Sequence, residues 1–177
     1  MSGRRVALVT GAGRGIGRAV ARRLAADGLS LVGNDLDEAS ASQTVEELLG
    51  MGFVAVPAVG SVAVAESADH IVEVVRKEFG RLDVLVNNAG VTRPAMAHHM
   101  TDEAWEFVID VALTGTFNMC RSAFSLLRDA ADIADLPNRK VINLSSINGI
   151  YGTAANANYS AAKAGVNGLT RALSREW

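Results

Sequence analysis

The hydrophobic positions of the chain alternate between short continuous runs and longer stretches with helical spacing. The short runs are rich in β-branched residues, which is typical of strands that are covered on both faces. The longer stretches place apolar side chains three and four positions apart, as amphipathic helices do. The pattern predicts strands at 6–10, 29–32, 53–59, 82–86 and 141–144, and helices at 18–26, 38–49, 64–79, 102–128 and 159–176.

Strands that alternate with helices of this length predict right-handed βαβ units and a parallel sheet with helices on both faces. We therefore expect a doubly wound, Rossmann-like α/β fold that forms one domain over residues 1–177. Thr101 is the predicted N-cap of the long helix, and Gly80 marks the end of the helix before the fourth strand. Residues 130–138 are predicted to form a surface excursion between that long helix and the fifth strand.

Composition narrows the classes of function. The 177 residues are 49% hydrophobic, with 17 basic and 19 acidic side chains, so the net charge is −2. This balance is typical of an ordinary globular domain and gives no electrostatic reason to bind nucleic acid or an anionic membrane. The single cysteine, Cys120, has no partner for an internal disulfide, which favours a cytoplasmic location. No apolar run reaches the roughly 18 residues of a membrane-spanning helix.

A glycine-rich turn follows the first strand. Its glycines, Gly11, Gly15 and Gly17, have the spacing G-x-x-x-G-x-G, and Arg14 and Ile16 lie between them. A strand–turn–helix junction of this kind directs backbone N–H groups and a helix N-terminus at a pyrophosphate. The alternative is a plain tight turn without a ligand.

Asp35 favours the dinucleotide interpretation. It ends the second strand, 18 residues after Gly17, close to the offset of about 20 residues for a carboxylate that binds the adenosine ribose hydroxyls. Such a carboxylate repels a 2′-phosphate, so NAD is expected rather than NADP. Arg14 acts in the opposite direction, because its guanidinium can pair with that phosphate. Asp37 is predicted to cap the following helix.

A second cluster of polar residues follows the fifth strand. Tyr159 and Lys163 are four residues apart on a predicted helix and therefore share one face. Ser145 and Ser146 end the preceding strand, and ligands of open α/β sheets bind at the carboxyl ends of strands. Taken alone, Y-x-x-x-K is also compatible with a simple surface pair.

Together these motifs resemble those of the short-chain dehydrogenase/reductase family. The resemblance extends over essentially the whole chain, in the family's order and spacing. Its motifs are Thr10-Gly11-x-x-x-Gly15-x-Gly17, Asn87-Asn88-Ala89-Gly90, Ser146 and Tyr159-x-x-x-Lys163.

The resemblance implies hydride transfer between a nicotinamide cofactor and a ketone or secondary alcohol. Tyr159 would be the general acid or base, Lys163 would favour its phenolate and bind the nicotinamide ribose, and Ser146 would bind the substrate carbonyl. The cofactor-binding residues expected from these motifs are Gly11, Arg14, Gly15, Ile16, Gly17, Asp35, Ser61, Val62, Asn88, Ala89, Gly90, Tyr159 and Lys163.

Two positions depart from the family pattern. Ala112 lies where members usually have an asparagine that holds a water of the proton relay, so proton delivery is expected to be slower or rerouted. Ser61 lies where an aspartate near the adenine is usual, and a serine can still form a hydrogen bond there.

The segments around Ser146 and Tyr159 are most similar to those of bacterial 3-oxoacyl-(acyl-carrier-protein) reductases. This similarity implies a small carbonyl or alcohol substrate, with a carrier-protein or CoA thioester as one candidate. The family also suggests a homo-tetramer or dimer that forms through helices around 112–123 and 159–173. Members continue into further strands beyond the last helix, so we expect the C-terminal strands to be missing from this chain.

Two other functions remain as alternatives. A non-catalytic dinucleotide-binding subunit or sensor is favoured by Ala112 and Ser61, whereas an epimerase or dehydratase of the extended branch has a different glycine spacing. His98 and His99 lack carboxylate or cysteine neighbours at ligand spacing, so no metal site is expected. Four aromatic residues are predicted to pack helices rather than to form a cofactor box: Trp105, Phe107, Phe117 and Phe124.

Overall fold

The computed structural model describes residues 4–129 and 139–177. Five strands in these ranges form one parallel sheet in the order β3-β2-β1-β4-β5, which confirms the doubly wound α/β prediction. The strands are β1 Val6–Thr10, β2 Ser30–Asp35, β3 Ala55–Val59, β4 Val84–Asn87 and β5 Lys140–Asn143. The predicted excursion at 130–138 lies outside the described residues.

Helices connect the strands. The α-helices are α1 Gly15–Ala26, α2 Glu38–Gly50, α3 Ala65–Phe79, α4 Asp102–Ile109, α5 Gly115–Phe124, α6 Asn148–Tyr151 and α7 Ala157–Glu176. A 3₁₀ turn lies at Ala97–His99, and π-helical segments lie at Asp110–Thr114 and Ser125–Asp129. None of the described helices combines the length and the apolar character needed to cross a membrane.

The strand order reverses direction between β1 and β4. From β1 the chain first builds β2 and β3 on one side, and then crosses over to build β4 and β5 on the other. The helices that start after β1 and after β4 therefore diverge, and a crevice opens at the carboxyl ends of these two strands. Every chemical feature described below lies along this edge of the sheet.

Packing explains why the apolar runs become central strands. All five residues of β1 are buried, because β1 is paired on both sides and covered by helices on both faces. One core layer gathers side chains such as Leu8, Ile71 and Met119, and the other gathers side chains such as Val9 and Leu31. Alternate residues of the same strand thus supply both layers.

Local signals set the helix ends. The Thr101 hydroxyl accepts a hydrogen bond from the Ala104 N–H at 3.2 Å, so the predicted N-cap is confirmed. Gly80 ends α3 in the left-handed conformation, with φ of 69°, which a glycine adopts without a steric penalty. The Asp37 carboxylate accepts from the Ser40 N–H at 3.0 Å and caps α2, also as predicted.

Candidate active site

A continuous open cavity of about 1210 Å³ extends along the carboxyl ends of the strands. It begins beside Asp35 at the end of β2, crosses the turn after β1, and reaches Tyr159 and Lys163 on α7. Gly15 and Ser146 do not line it. The other residues predicted from the sequence all do: Gly11, Arg14, Ile16, Gly17, Asp35, Ser61, Val62, Asn88, Ala89, Gly90, Tyr159 and Lys163.

The glycines of the turn meet steric requirements that other residues rarely satisfy. Gly11 and Gly15 have positive φ angles of 62° and 54°. A side chain at Gly17 would overlap the Gly11 carbonyl oxygen and approach the Asn88 amide within 2.5 Å. The turn is therefore closed tightly against the start of α1 and against the segment after β4.

The N-terminus of α1 faces this turn without a neutralising side chain. Its N-cap residue, Arg14, makes no side-chain capping hydrogen bond, and the first turn contains no acidic residue. The free N–H groups and the positive end of the helix dipole favour an anion here. The Arg14 guanidinium is exposed beside them and adds a positive charge.

Asp35 is held in a fixed orientation at the end of the cavity that lies away from Tyr159. Its Oδ2 accepts from the Gly13 N–H at 2.9 Å, and its Oδ1 accepts from the Asp37 N–H at 3.2 Å. A Cβ at Gly13 would lie 2.6 Å from Oδ2, so glycine is required for this contact. Each carboxylate oxygen keeps a further lone pair for a ligand hydroxyl.

Asp37 lies on the same wall as Asp35. The Ser40 hydroxyl and N–H both donate to its carboxylate, and together with the nearby Arg14 charge they lower the pKa of Asp37. Two negative charges therefore mark this end of the cavity, where Arg14 is the neighbouring cation.

Asn88 joins the segment after β4 to the glycine turn. Its side-chain amide donates to the carbonyl oxygens of Thr10 at 2.9 Å and of Gly11 at 3.1 Å. In return, the Thr10 hydroxyl accepts from the N–H groups of Asn88 and Ala89, both at 3.0 Å. These bonds fix the floor of the crevice at the switch point of the sheet.

Lys163 is a buried cation with no carboxylate partner. Its side chain is only 3% exposed, and no salt bridge joins it to an acidic residue in the described ranges. Its Nζ donates to the Leu144 carbonyl oxygen at 2.6 Å and lies 5.7 Å from the centre of the Tyr159 ring. Burial lowers the pKa of Lys163. A desolvated charge inside a cleft is typical of a functional group.

The two serines after β5 have different surroundings. The Ser145 hydroxyl lines the cavity and donates to the Lys163 backbone carbonyl at 3.0 Å. Ser146 lies beside the cavity wall, where its Oγ accepts from the Asn148 N–H at 3.2 Å. Because Ser146 acts only as an acceptor there, its own hydroxyl proton remains available. Its expected role at the substrate carbonyl stays a prediction.

Ala112 and Cys120 are both fully enclosed. Ala112 lies in the first π-helical segment and packs with Val108 and Ala162 behind Tyr159, in an apolar cluster. Burial raises the pKa of the Cys120 thiol to about 11, which does not suit a nucleophile. The described residues hold no group of three or more His, Cys, Asp or Glu side chains arranged for a metal ion.

Several residues of the site were not singled out in the sequence. Gly13 orients Asp35, and Asn158 is a fully buried amide next to Tyr159. Arg93 and Phe107 also line the cavity, and the Arg93 guanidinium lies over the Phe107 ring. Arg93 lies three residues after the Asn-Asn-Ala-Gly segment, so its place in the sequence could have indicated that it lines the cavity.

Comparison with known proteins identifies the family. A family profile described as short chain dehydrogenase matches residues 5–177. The chain is 42% identical to a 3-oxoacyl-[acyl-carrier-protein] reductase of Synechocystis and 42% identical to an acetoacetyl-CoA reductase of Paracoccus denitrificans, covering 97% of this chain in each case. It belongs to the short-chain dehydrogenase family of oxidoreductases.

A solved structure agrees with this assignment. The crystal structure of a short chain dehydrogenase from Mycobacterium avium superposes with a TM-score of 0.88 at 38% identity, over 94% of this chain. The chain covers 60% of that protein, and 67% of the Synechocystis and Paracoccus relatives.

Proposed function

We propose that this protein transfers a hydride between a nicotinamide cofactor and a ketone or secondary alcohol. The observation that carries the proposal is one continuous cavity with a phosphate-binding turn in the middle. A fixed carboxylate lies at one end, and a paired tyrosine and buried lysine lie at the other. This is the order of groups that an extended dinucleotide needs, because its ribose, pyrophosphate and nicotinamide follow one another in line.

The residues present fit such a cofactor. Asp35 would bind the adenosine ribose, Ser61 and Val62 would flank the adenine, and the N-terminus of α1 would bind the pyrophosphate. At the far end, Asn88, Ala89 and Gly90 would form the floor beneath the second ribose and the nicotinamide. When bound there, the nicotinamide supplies the hydride.

The chain itself would supply the proton. The Tyr159 Oη would protonate the developing alkoxide in reduction and accept a proton in oxidation. The buried Lys163 ammonium would stabilise the phenolate form of Tyr159, since the low-dielectric surroundings strengthen the attraction between the two groups. The Leu144 carbonyl orients Nζ, and the apolar cluster around Ala112 keeps the rear of the site dry.

The Ser146 hydroxyl would donate a hydrogen bond to the substrate carbonyl oxygen and so stabilise the charge that develops there. As substrate class we propose a 3-oxoacyl thioester. Two relatives at 42% identity support this choice, since their names specify an acyl-carrier-protein substrate and an acetoacetyl-CoA substrate.

A spectrophotometric assay separates this proposal from a non-catalytic cofactor-binding role. The intact protein is incubated with NADH or NADPH and a panel of ketones that includes an acetoacetyl thioester. We expect cofactor oxidation with at least one ketone. Tight cofactor binding without oxidation of any panel member would support the alternative, a structural or sensor subunit.

We further propose that NAD is preferred to NADP. Asp35 and Asp37 form one negatively charged wall where a 2′-phosphate would lie, and Arg14 offsets only part of that charge. Equilibrium titration should show tighter binding of NADH than of NADPH. The substitution Asp35→Asn should reduce that preference by about tenfold or more, because it removes a charged acceptor without changing the shape.

Assembly into a dimer or tetramer is also a proposal. Trp105 and Phe117 expose 41% and 43% of their surfaces on the helices that follow β4, and such exposed apolar side chains suit an interface between copies. Light scattering coupled to gel filtration should give a dimer or larger at micromolar concentration.

A cytoplasmic location is also proposed, and the single cysteine supports it.

A further inference from the structure

The loop that follows β4 forms the substrate side of the cavity. Val91, Thr92 and Arg93 line it together with Tyr159. Arg93 also borders a shallow groove of about 450 Å³, which it shares with the start of α4. Arg93 and Phe107 line both spaces and therefore lie where the groove and the cavity adjoin.

Hydrogen bonds fix the backbone of this loop to the helix that carries Tyr159. Asn158 is fully buried, and its amide donates to the Arg93 carbonyl at 3.1 Å and to the Ala104 carbonyl at 3.0 Å. Two residues further along the loop, the Ala95 N–H donates to the Ala155 carbonyl at 2.9 Å. Arg93 is thus held in a defined position relative to Tyr159, as a preorganised binding residue has to be.

The Arg93 guanidinium lies over the Phe107 ring, with its central carbon 4.8 Å from the ring centre. Its Nη1 donates to the Thr92 carbonyl at 3.0 Å. Within residues 4–129 and 139–177 no salt bridge neutralises this charge. The other N–H donors of a guanidinium are then available to a ligand, and their planar fork matches phosphate.

Two carboxylates lie near enough to be considered as partners. Asp110 lines the same cavity, yet no ion pair joins it to Arg93 in the described part of the chain. Glu103 borders the groove, but its carboxylate accepts from its own backbone N–H and from the Thr101 hydroxyl, which lowers its pKa. Glu103 is therefore directed at the N-terminus of α4 rather than at Arg93.

We propose that Arg93 binds the phosphate of a phosphopantetheine arm, and so selects acyl thioesters that carry this arm. The inference rests on the proposed function and adds the residue that recognises the carrier. A pantetheine chain is long and flexible enough to run from a carbonyl at Tyr159 back over the groove. CoA and a carrier protein present the same phosphate, so Arg93 serves either source.

The test compares three acetoacetyl thioesters: the CoA ester, the carrier-protein ester, and the N-acetylcysteamine ester, which has no phosphate. Arg93→Gln should raise KM for each of the two phosphate-bearing substrates about tenfold more than it raises KM for the N-acetylcysteamine ester. Arg121→Gln is the matched control. Arg121 is also exposed and lies over an aromatic ring, Phe117, at 5.2 Å, but it lines neither the cavity nor the groove.

A KM increase of equal size for all three thioesters, or no increase for any, would overturn the inference. An effect confined to the carrier-protein ester would also overturn it, because Arg93 would then contact the carrier surface rather than the arm. Binding of CoA to the NADH-saturated protein provides a readout without turnover, and Arg93→Gln should weaken it about tenfold.

These measurements separate the two proposals. If the Arg93→Gln variant reduces all three thioesters with the KM values of the unmodified protein, the proposed function stands and the inference fails. If no thioester is reduced but CoA binds in an Arg93-dependent manner, the phosphate-binding role of Arg93 stands and the proposed thioester substrate fails. Absence of CoA binding together with absence of thioester reduction overturns both the inference and the proposed thioester substrate, whereas reduction of another ketone would still support the proposed hydride transfer.

Discussion

Lys163 is almost completely buried, and no carboxylate of the described residues pairs with it. Burial of an unpaired ammonium group lowers the stability of the folded state, so a structural role alone does not account for this lysine. Among the described residues, the Lys163 Nζ has one hydrogen-bond partner, the Leu144 carbonyl oxygen, and the Tyr159 ring is its neighbour. Its ammonium therefore remains available to stabilise a negative charge that appears nearby during a reaction. At the scale of single residues, the pair formed by Tyr159 and Lys163 gives the clearest indication of a catalytic role.

Tyr159→Phe tests that pair directly. We expect kcat to fall by about 10²–10⁴-fold, because the general acid is removed, while NADH binding stays within about twofold. Tyr151→Phe is the matched control, since Tyr151 is 81% exposed and lies outside the cavity. The role assigned to Tyr159 fails if the two variants have the same kcat.

The adjacent serines allow a similar comparison. Ser146→Ala should lower kcat about 10²-fold, since it removes the donor proposed for the substrate carbonyl. Ser145→Ala removes only a bond to the Lys163 backbone carbonyl and should have a much smaller effect. Steady-state kinetics of both variants decide between the serines, and the reverse order of effects would transfer the role to Ser145.

Cys120 gives a prediction that depends on pH. Its pKa is raised from 9.0 to about 11, so at any pH below both values the folded protein holds about 100-fold less thiolate than the unfolded chain. Alkylation near pH 8 should therefore be slow in the folded state and fast in denaturant. Mass spectrometry of iodoacetamide-treated protein checks this, and rapid labelling of the folded form would contradict the burial of Cys120.

The sequence predicted the residues that lie within local motifs and missed those whose role depends on distant contacts. The glycines, Asp35, Tyr159 and Lys163 belong to short patterns with known offsets from strand ends. Asn158 bonds to Arg93, which is 65 residues away, and no local pattern encodes that pairing. Only the three-dimensional arrangement brings the loop after β4 next to α7.

At the scale of elements, the junction between β1 and α1 determines whether a phosphate fits. Gly17 lies in the first turn of α1, where its missing side chain lets the turn close against Gly11. The open N–H groups of the helix are exposed to the cavity only because of this closure. Gly17 is therefore required by the fold of the turn and, in the proposed function, would be required for cofactor binding as well.

Gly17→Ala should lower the free energy of unfolding by about 1–3 kcal/mol, because the added methyl overlaps backbone atoms. It should also weaken NADH binding. Ala19→Gly, at an exposed position of the same helix, should cost about 0.5–1 kcal/mol through backbone entropy and leave NADH binding unchanged. Urea denaturation and fluorescence titration of both variants distinguish the steric effect from general loss of helix stability.

The limits of the elements show what periodicity does and does not encode. The helix predicted to start at residue 18 begins at Gly15, because a glycine-rich segment has no apolar period to mark a helix start. The long helix at 102–128 is continuous in position but includes π-helical segments, which the spacing of side chains did not indicate. The short helix α6 was missed, since four residues are too few to show a repeat.

At the scale of the whole molecule, the reversal of strand order places all these groups on one edge of one sheet. The charges divide along that edge. Asp35 and Asp37 lie at one end of the cavity, the N-terminus of α1 lies in the middle, and Lys163 lies at the other end, with Arg93 between that end and the groove beside α4. In the proposed function, this polarity would orient an extended dinucleotide in one direction and would leave the substrate to enter from the Arg93 side.

Deuterium transfer tests the central claim most directly. The intact protein is mixed with NADH that carries deuterium at both positions of the nicotinamide C4, together with an acetoacetyl thioester and other ketones. The product alcohol is then analysed by mass spectrometry. We predict one deuterium per product molecule on the former carbonyl carbon, and none above background with Tyr159→Phe. NADH that binds tightly but transfers no deuterium to any of these ketones would contradict the assignment of this site to hydride transfer.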